Sequence, residues 1–291
     1  MKDTLSQTGG GRSALRLERR IAHSPEKVWQ ALTDPAELAH WFPSEVRVDL
    51  KVGGRMGFVF PGREAPDMEG EVTELDPPHV FAFTWGDDQL RWELRPDGKG
   101  CLLTLTHTFG DRFGAASFAS GWHACITALA ALLDGAKPAP GDMAELHESY
   151  VEAFGLAEGA VETTEDGGWR LRFERQLVRP AETVWQALAG QTGEAGLTVG
   201  GSVPFGFRTE GVPAGPITEA EAPRTLSYDW ERAGRPAGQV RWELAQGTGH
   251  GARLILTQTG PPNTEEARTQ SLTAWRRHIA LLAAKLLRMR G

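Results

Sequence analysis

His107 ends the run Leu103-Thr104-Leu105-Thr106-His107, in which every second residue falls on one face of a strand. An imidazole that shares a face with two leucines can orient a ligand carbonyl or hydroxyl, and beside a carboxylate it can move a proton. Glu69 and Glu71, on a neighbouring strand pattern, are the carboxylates expected to assist it. His123-Ala-Cys125 places an imidazole and a thiol two residues apart on a helical pattern, so they point to different faces and make a poor metal pair. No HExxH, paired CxxC or phosphate-cradling glycine loop occurs, and Val52-Gly-Gly-Arg-Met-Gly57 reads as a turn between strands. No catalytic set, metal site or cofactor is therefore expected.

The elements that must position His107 follow from periodicity. Leu15, Leu17, Arg19 and Ile21 alternate as a first strand, and Ser24-Pro25-Glu26 then opens a helix, with serine available as a cap and proline at the first helical position. Asp34-Pro35 opens a second short helix that ends at Trp41-Phe42-Pro43. Strands follow over 45–50, 55–60, 68–75, 79–85, 89–95 and 101–108, with Asp97-Gly98 as a hairpin turn. A helix over 115–134 carries Phe118, Trp122, Ile126, Leu129 and Leu133 at helical spacing. Antiparallel strands with helices gathered at the ends are an α+β plan.

This plan is written twice. Residues 15–32 align with 171–188 at ten identities in eighteen, and three further matches follow in the same order at offsets of 145, 150 and 153. So long a period is a domain duplication and not a solenoid. The expected divisions are a flexible leader over 1–14, a first domain over 15–135, an extra helix and linker over 136–168, and a second domain over 169–291. The extra helix carries Met143, Leu146, Tyr150 and Phe154 on one face, and the acidic, glycine-rich 158–168 reads as the linker itself. Trp29 and Trp185 occupy the same place in the two first helices and read as core. Gln258 stands where the first copy has His107; it can hydrogen-bond a ligand but cannot act as a base.

The 31 Lys and Arg against 38 Asp and Glu leave a net charge of −7, which disfavours a nucleic-acid or anionic-membrane partner. The balance is uneven: residues 1–155 hold 15 basic and 23 acidic side chains, residues 156–291 hold 16 and 15. Arg276, Arg277, Lys285, Arg288 and Arg290 form a basic end that reads as a solvated helix face or a docking patch. The two cysteines need no disulfide framework, no stretch reads as a membrane span or signal peptide, and a cytoplasmic setting is expected.

The stretches SPEKVWQALTDPAELAHWF, VGGRMGF, GEVTELDPPHVFAFTW and CLLTLTHTF…GWHACITALAALL, in this order, resemble the SRPBCC, or START-like, superfamily. Within it they are most similar to the bacterial relatives of the activator of the heat-shock chaperone ATPase. The first copy matches along nearly its whole length. The second departs after Leu188, where AGQTGEAGLTVGG replaces TDPAELAHWF and the second short helix is expected to be shortened or lost.

The resemblance implies two tandem helix-grip domains, similar to birch pollen allergen, each a curved antiparallel sheet wrapped on a long C-terminal helix with a cavity between. It implies an apolar small-molecule ligand bound without catalysis, mainly in the first copy. Cyclase- or hydrolase-like turnover remains a second reading. A protein-interaction module in a stress response, with a protein partner or a second copy of the chain, remains a third. The cavity is expected to be lined by Trp41, Phe42, Phe58, Phe83, Trp85, Trp92, Leu105, His107, Phe118 and Trp122. In the second copy the expected lining is Tyr228, Trp230, Trp242, Gln258 and Trp275. Alternation alone leaves open whether these rings line a space or fill it.

Overall fold

The computed structural model describes residues 3–60, 67–138, 141–190, 197–249 and 251–289, and the chain divides into two compact units, Met1–Met143 and Ala144–Gly291. In the first, β1 (Thr4–Gln7) and β2 (Ser13–Ile21) lead into α1 (Pro25–Thr33) and α2 (Pro35–Leu38). Strands β3 (Glu45–Val48), β4 (Arg55–Val59), β5 (Met68–Asp76), β6 (Val80–Trp85), β7 (Asp88–Asp97) and β8 (Gly100–Phe109) follow, and α3 (Ala115–Leu133) closes the unit. The eight strands form one antiparallel sheet in the order β1-β2-β8-β7-β6-β5-β4-β3. β2 and β8, distant in sequence, pair along their whole length, which sets Leu15 opposite His107 and Leu17 opposite Leu105.

Local chemistry explains the short helices. Pro25 takes the first position of α1, but the Ser24 hydroxyl makes no bond to the helix amides. Asp34 caps α2 through its side chain, accepting from the Ala36 N–H at 2.9 Å. The Trp41 indole N–H then donates to the Ala31 carbonyl at 2.9 Å and ties the end of α2 to α1. Trp29 is only half-buried, with its edge toward Phe81 at 6.3 Å, because the buried stripe of α1 is Val28, Ala31 and Leu32 and the indole lies at its flank. Its counterpart Trp185 is fully buried under Phe207, 5.1 Å away. The expected core role therefore holds for Trp185 and fails for Trp29.

The second unit contains α4 (Met143–Ala153), β9 (Ala160–Thr163), β10 (Trp169–Gln176), α5 (Ala181–Ala189), β11 (Ala214–Glu221), β12 (Thr225–Arg232), β13 (Arg235–Gln246), β14 (Ala252–Gly260) and α6 (Glu265–Arg288). Its sheet has six strands, in the order β11-β12-β13-β14-β10-β9. Aligned on the first unit, it lacks counterparts of β3 and β4 among the described residues. Residues 191–196, within the segment expected to lose the second short helix, lie outside the described residues, as does Arg290 of the basic end.

Two expected loops are strands. The leader is not free: Thr4–Gln7 pairs with Ser13–Arg16 of β2. The linker likewise contains β9, paired with Trp169–Arg172 of β10. Thr4 and Ala160 stand 156 residues apart, the offset of the first repeat match, so the duplication starts one hairpin earlier than its side chains suggest. Both are edge strands held by main-chain bonds with almost no buried side chain, and without an apolar face there is no alternation to read.

α4 does not present an exposed apolar stripe. Tyr150 is buried, Leu146 and Phe154 are half-buried, and only Met143 is exposed. Glu148 of α4 accepts two hydrogen bonds, at 2.5 and 2.7 Å, from the buried Arg175 guanidinium of β10. Burial works to raise the Glu148 carboxyl, and the His147 imidazole and Arg175 beside it more than compensate, so the group sits below its ordinary value of 4.5. The pair's contribution is thus fully present above that value and is lost as the pH falls through the lower folded one. Glu148→Gln is expected to cost about 3 kcal/mol at pH 7 by leaving a buried cation with a neutral partner. The difference from the parent should shrink in urea unfolding at pH 3; an equal cost at both pH values would show that the charge is not the cause.

α3 is, by length and composition, the one described helix apolar enough to cross a membrane. Here it packs against β2 and buries Ala115, Ala116, Ala119, Trp122, Ile126 and Leu129.

Candidate functional site

On α3, Ser117, Gly121 and Cys125 recur every fourth residue beside Phe118 and Trp122, so one helical face carries all five. With the ends of four strands and the loop after α2, that face borders a pocket of about 300 Å³. The strands supply Met68, Trp85, Asp88 and His107, and the loop supplies Pro43. The surface is mostly apolar, and its polar groups gather around His107.

His107 is 3% exposed and has partners on both ring nitrogens. The Trp122 indole N–H lies 3.1 Å from Nδ1. An indole can only donate, so Nδ1 accepts and the ring proton resides on Nε2. Nε2–H in turn meets the Asp88 Oδ2 at 3.1 Å. The other carboxylate oxygen accepts from Arg12 Nη2 at 3.1 Å, and the same nitrogen donates to the Asp87 carbonyl at 2.7 Å. The result is a fixed chain, Arg12–Asp88–His107–Trp122, running from the turn between β1 and β2 to the helix. Neither nitrogen is left to take a substrate proton. Phe118 and Phe109 flank the imidazole at 4.6 and 4.9 Å between ring centroids.

Asp88, and neither Glu69 nor Glu71, is the carboxylate beside His107. Both glutamates are exposed, and Glu69 lines a shallow depression with Arg47 and Arg55. The signal for Asp88 was present: it stands in phase with Leu90, Trp92 and Leu94, the inward positions of β7. His123 and Cys125 do point apart, His123 receiving a hydrogen bond from Arg19 at 3.3 Å while Cys125 faces the pocket. Burial pushes the Cys125 thiol up to about 12, which makes it a poor nucleophile at neutral pH. Among the described residues no group of three or more His, Cys, Asp or Glu could hold a metal ion.

Of the residues expected to line a cavity in the first unit, Trp85, His107, Phe118 and Trp122 line this pocket. Trp41, Phe58, Phe83, Trp92 and Leu105 do not: they are buried at 5% exposure or less and fill the deeper space. Phe42, half-buried, packs on Phe58, Trp85 and Trp122 at 6.2, 5.4 and 5.8 Å. The residual gap between Trp41, Phe42, Phe83 and Trp92 is about 10 Å³, too small for a ligand. Met68, Ser117, Gly121 and Cys125 are lining residues that alternation could not single out, since helical and strand phases must meet in space first.

The second unit corrects its expectation more fully. Tyr228, Trp230, Trp242, Gln258 and Trp275 are all 2% exposed or less and line none of the open cavities described here. The Tyr228 hydroxyl donates to the Phe207 carbonyl at 2.7 Å, and burial pushes its phenol far up. The Trp275 indole donates to Gln258 Oε1 at 2.7 Å, as Trp122 does to His107. The place of Asp88 is taken by Gly238, opposite Trp230 as Asp88 is opposite Trp85. No side chain fits there: Gly238 has φ +148, and an added Cβ would lie 2.2 Å from the Thr259 carbonyl oxygen. Gln258 Nε2 therefore has no protein partner.

A family model for the Activator of Hsp90 ATPase homolog 1-like protein matches residues 22–134 and again 178–286. Among solved structures, CalU16 from Micromonospora echinospora is similar at a TM-score of 0.43 and 22% identity, over 53% of this chain and 95% of that one. DynU16, from the dynemicin biosynthetic locus, is similar at a TM-score of 0.41 and 19% identity, over 94% of this chain and 98% of that one. No curated protein matches the sequence significantly. With two copies of the matching domain covering most of its length, the chain belongs to the Activator of Hsp90 ATPase homolog 1-like protein family.

Proposed function

We propose that the first unit binds a small, largely apolar molecule, without turnover, in the pocket between α3 and the ends of β5, β6, β7 and β8. The observation that carries this reading is the pocket itself: about 300 Å³, walled by Trp85, Phe118, Trp122, Met68 and Pro43, with its polar groups confined to one end. Trp85 contributes a buried indole N–H with no protein partner, so a ligand with one acceptor oxygen would suit it. Its counterpart Trp230 spends the same N–H on the Thr259 carbonyl at 2.6 Å, whereas in the first unit Arg12 takes the equivalent Thr108 carbonyl at 3.4 Å. Binding is favoured over acid–base chemistry because both nitrogens of His107 are engaged and the thiol at Cys125 stays protonated. An interaction role through α4 loses its support with the burial of Tyr150.

Native mass spectrometry of the purified protein tests the reading. An adduct of small-molecule mass, released on denaturation, is the expected result. Absence of any adduct, together with no thermal stabilisation by a panel of neutral aromatic compounds, would sink it.

A further inference from the structure

The mouth of the second unit is wider and chemically different. Around it lies an open cavity of about 1000 Å³, between the loop that follows the 3-10 turn Phe205–Phe207 and the outer face of α6. Gln270, Ala274 and His278 of α6 border it, and these positions are Ser117, Gly121 and Cys125 of the first pocket shifted by 153 residues. The two cavities therefore share this stretch of the helix, and the second opens toward the neighbouring side of α6, which carries Thr273, Arg277 and Leu281. One helical turn of change separates their chemistry: Ala124 and Ala128 of α3 become Arg277 and Leu281.

Arg208 from the loop and Arg277 from the helix both line this cavity, and neither has an ion-pair partner among the described residues. Glu210 is the lone carboxylate of the lining. His278 adds no charge at neutral pH, since burial holds its imidazole below the usual range, and its Nε2–H is spent on the Gly206 carbonyl at 2.8 Å. Large apolar side chains stand beside the cations: Phe205 is 83% and Leu281 59% exposed, and the Arg208 guanidinium lies over the Phe205 ring at 5.9 Å from its centroid. Exposed apolar surface next to unpaired guanidinium groups in one concavity matches a ligand with an anionic head and a hydrocarbon body.

We propose that the second unit binds an amphipathic carboxylate here, with its head between Arg208 and Arg277 and its chain along Phe205 and Leu281. Planar guanidinium groups match the two oxygens of a carboxylate, and Phe205, Val212, Pro213, Ala214, Ala274 and Leu281 supply apolar surface for the body. The site is independent of the ligand proposed for the first unit.

The test is isothermal titration of the full chain with decanoate and, as the uncharged counterpart, decanol. With the first pocket closed by Gly121→Leu, the chain should bind one decanoate and bind decanol much more weakly. R208Q/R277Q should lose roughly tenfold or more in decanoate affinity, the effect of removing charge-assisted hydrogen bonds. Both arginines are exposed and unbonded, so this variant should keep the parent's circular dichroism and Tm. Gly121→Leu, which alters only the first pocket, should leave decanoate binding unchanged. No binding by the parent, equal affinity for decanol with the first pocket closed, an unaffected double variant, or loss of decanoate binding in Gly121→Leu would each overturn the proposal.

Discussion

Gly121→Leu should abolish ligand uptake by the first unit while leaving that unit at least as stable as the parent. Gly121 sits in the middle of α3, and a Cβ built on it meets no atom within 4 Å, because the space beside it is the pocket. A helical side chain leans toward the preceding turn, so leucine here would lie across Ser117 and Phe118, inside the cavity. Helix propensity works in the same direction: glycine in a helix interior is destabilising by about 0.5–1 kcal/mol relative to alanine, and leucine is close to alanine. The expected pattern is thus a raised Tm together with a loss of at least roughly tenfold in affinity for a neutral aromatic probe such as 2-naphthol. Gly121→Ala provides the control. It should raise Tm by a similar amount and keep most of the affinity, since one methyl group leaves the pocket open. Titration of both variants by tryptophan fluorescence would decide the matter. Unimpaired binding by the leucine variant would mean that the ligand sits elsewhere.

The second large effect concerns the polar chain at the closed end of that pocket. His107→Leu should destabilise the first unit by about 3 kcal/mol, because it leaves the buried Trp122 N–H without an acceptor and takes a donor from Asp88. His107→Gln should cost only about 1 kcal/mol, since Asp88, partly exposed, can recover its lost bond from water. The reason is visible in the duplicate. Gln258 already accepts the Trp275 N–H at 2.7 Å in the same place, so a carboxamide oxygen serves an indole there as well as an imidazole nitrogen does. Urea unfolding followed by fluorescence would separate the two variants. Equal losses for glutamine and leucine would show that the stability comes from the shape of the imidazole ring and not from the bond to the indole.

The amino-acid sequence by itself determined the duplication, the α+β plan and the bounds of nearly every strand and helix in the first copy. The strands expected over 89–95 and 101–108 are Asp88–Asp97 and Gly100–Phe109, and the helix expected over 115–134 is Ala115–Leu133. It also placed His107 on the inward face and matched it to Gln258. These features are local: a period of 2 or 3.6 residues is set by the backbone and is legible wherever one face of an element is buried. The edge strands β1 and β9 escaped because main-chain pairing alone holds them, and pairing carries no side-chain pattern.

Only the tertiary structure decided which inward aromatics leave a space. Trp92 and Trp122 both lie on inward faces, yet one is packed into the filled core and the other walls the pocket. In the second copy every ring expected to line a cavity is core, and the opening has moved to the side of α6 that carries Arg277. The partner of His107 was settled the same way, when the turn between β6 and β7 brought Asp88 within 3.1 Å of it. Alternation reports the direction in which a side chain points. Empty volume and hydrogen-bond partners depend on how side chains from distant elements meet, and that is fixed only when the sheet closes on its helix.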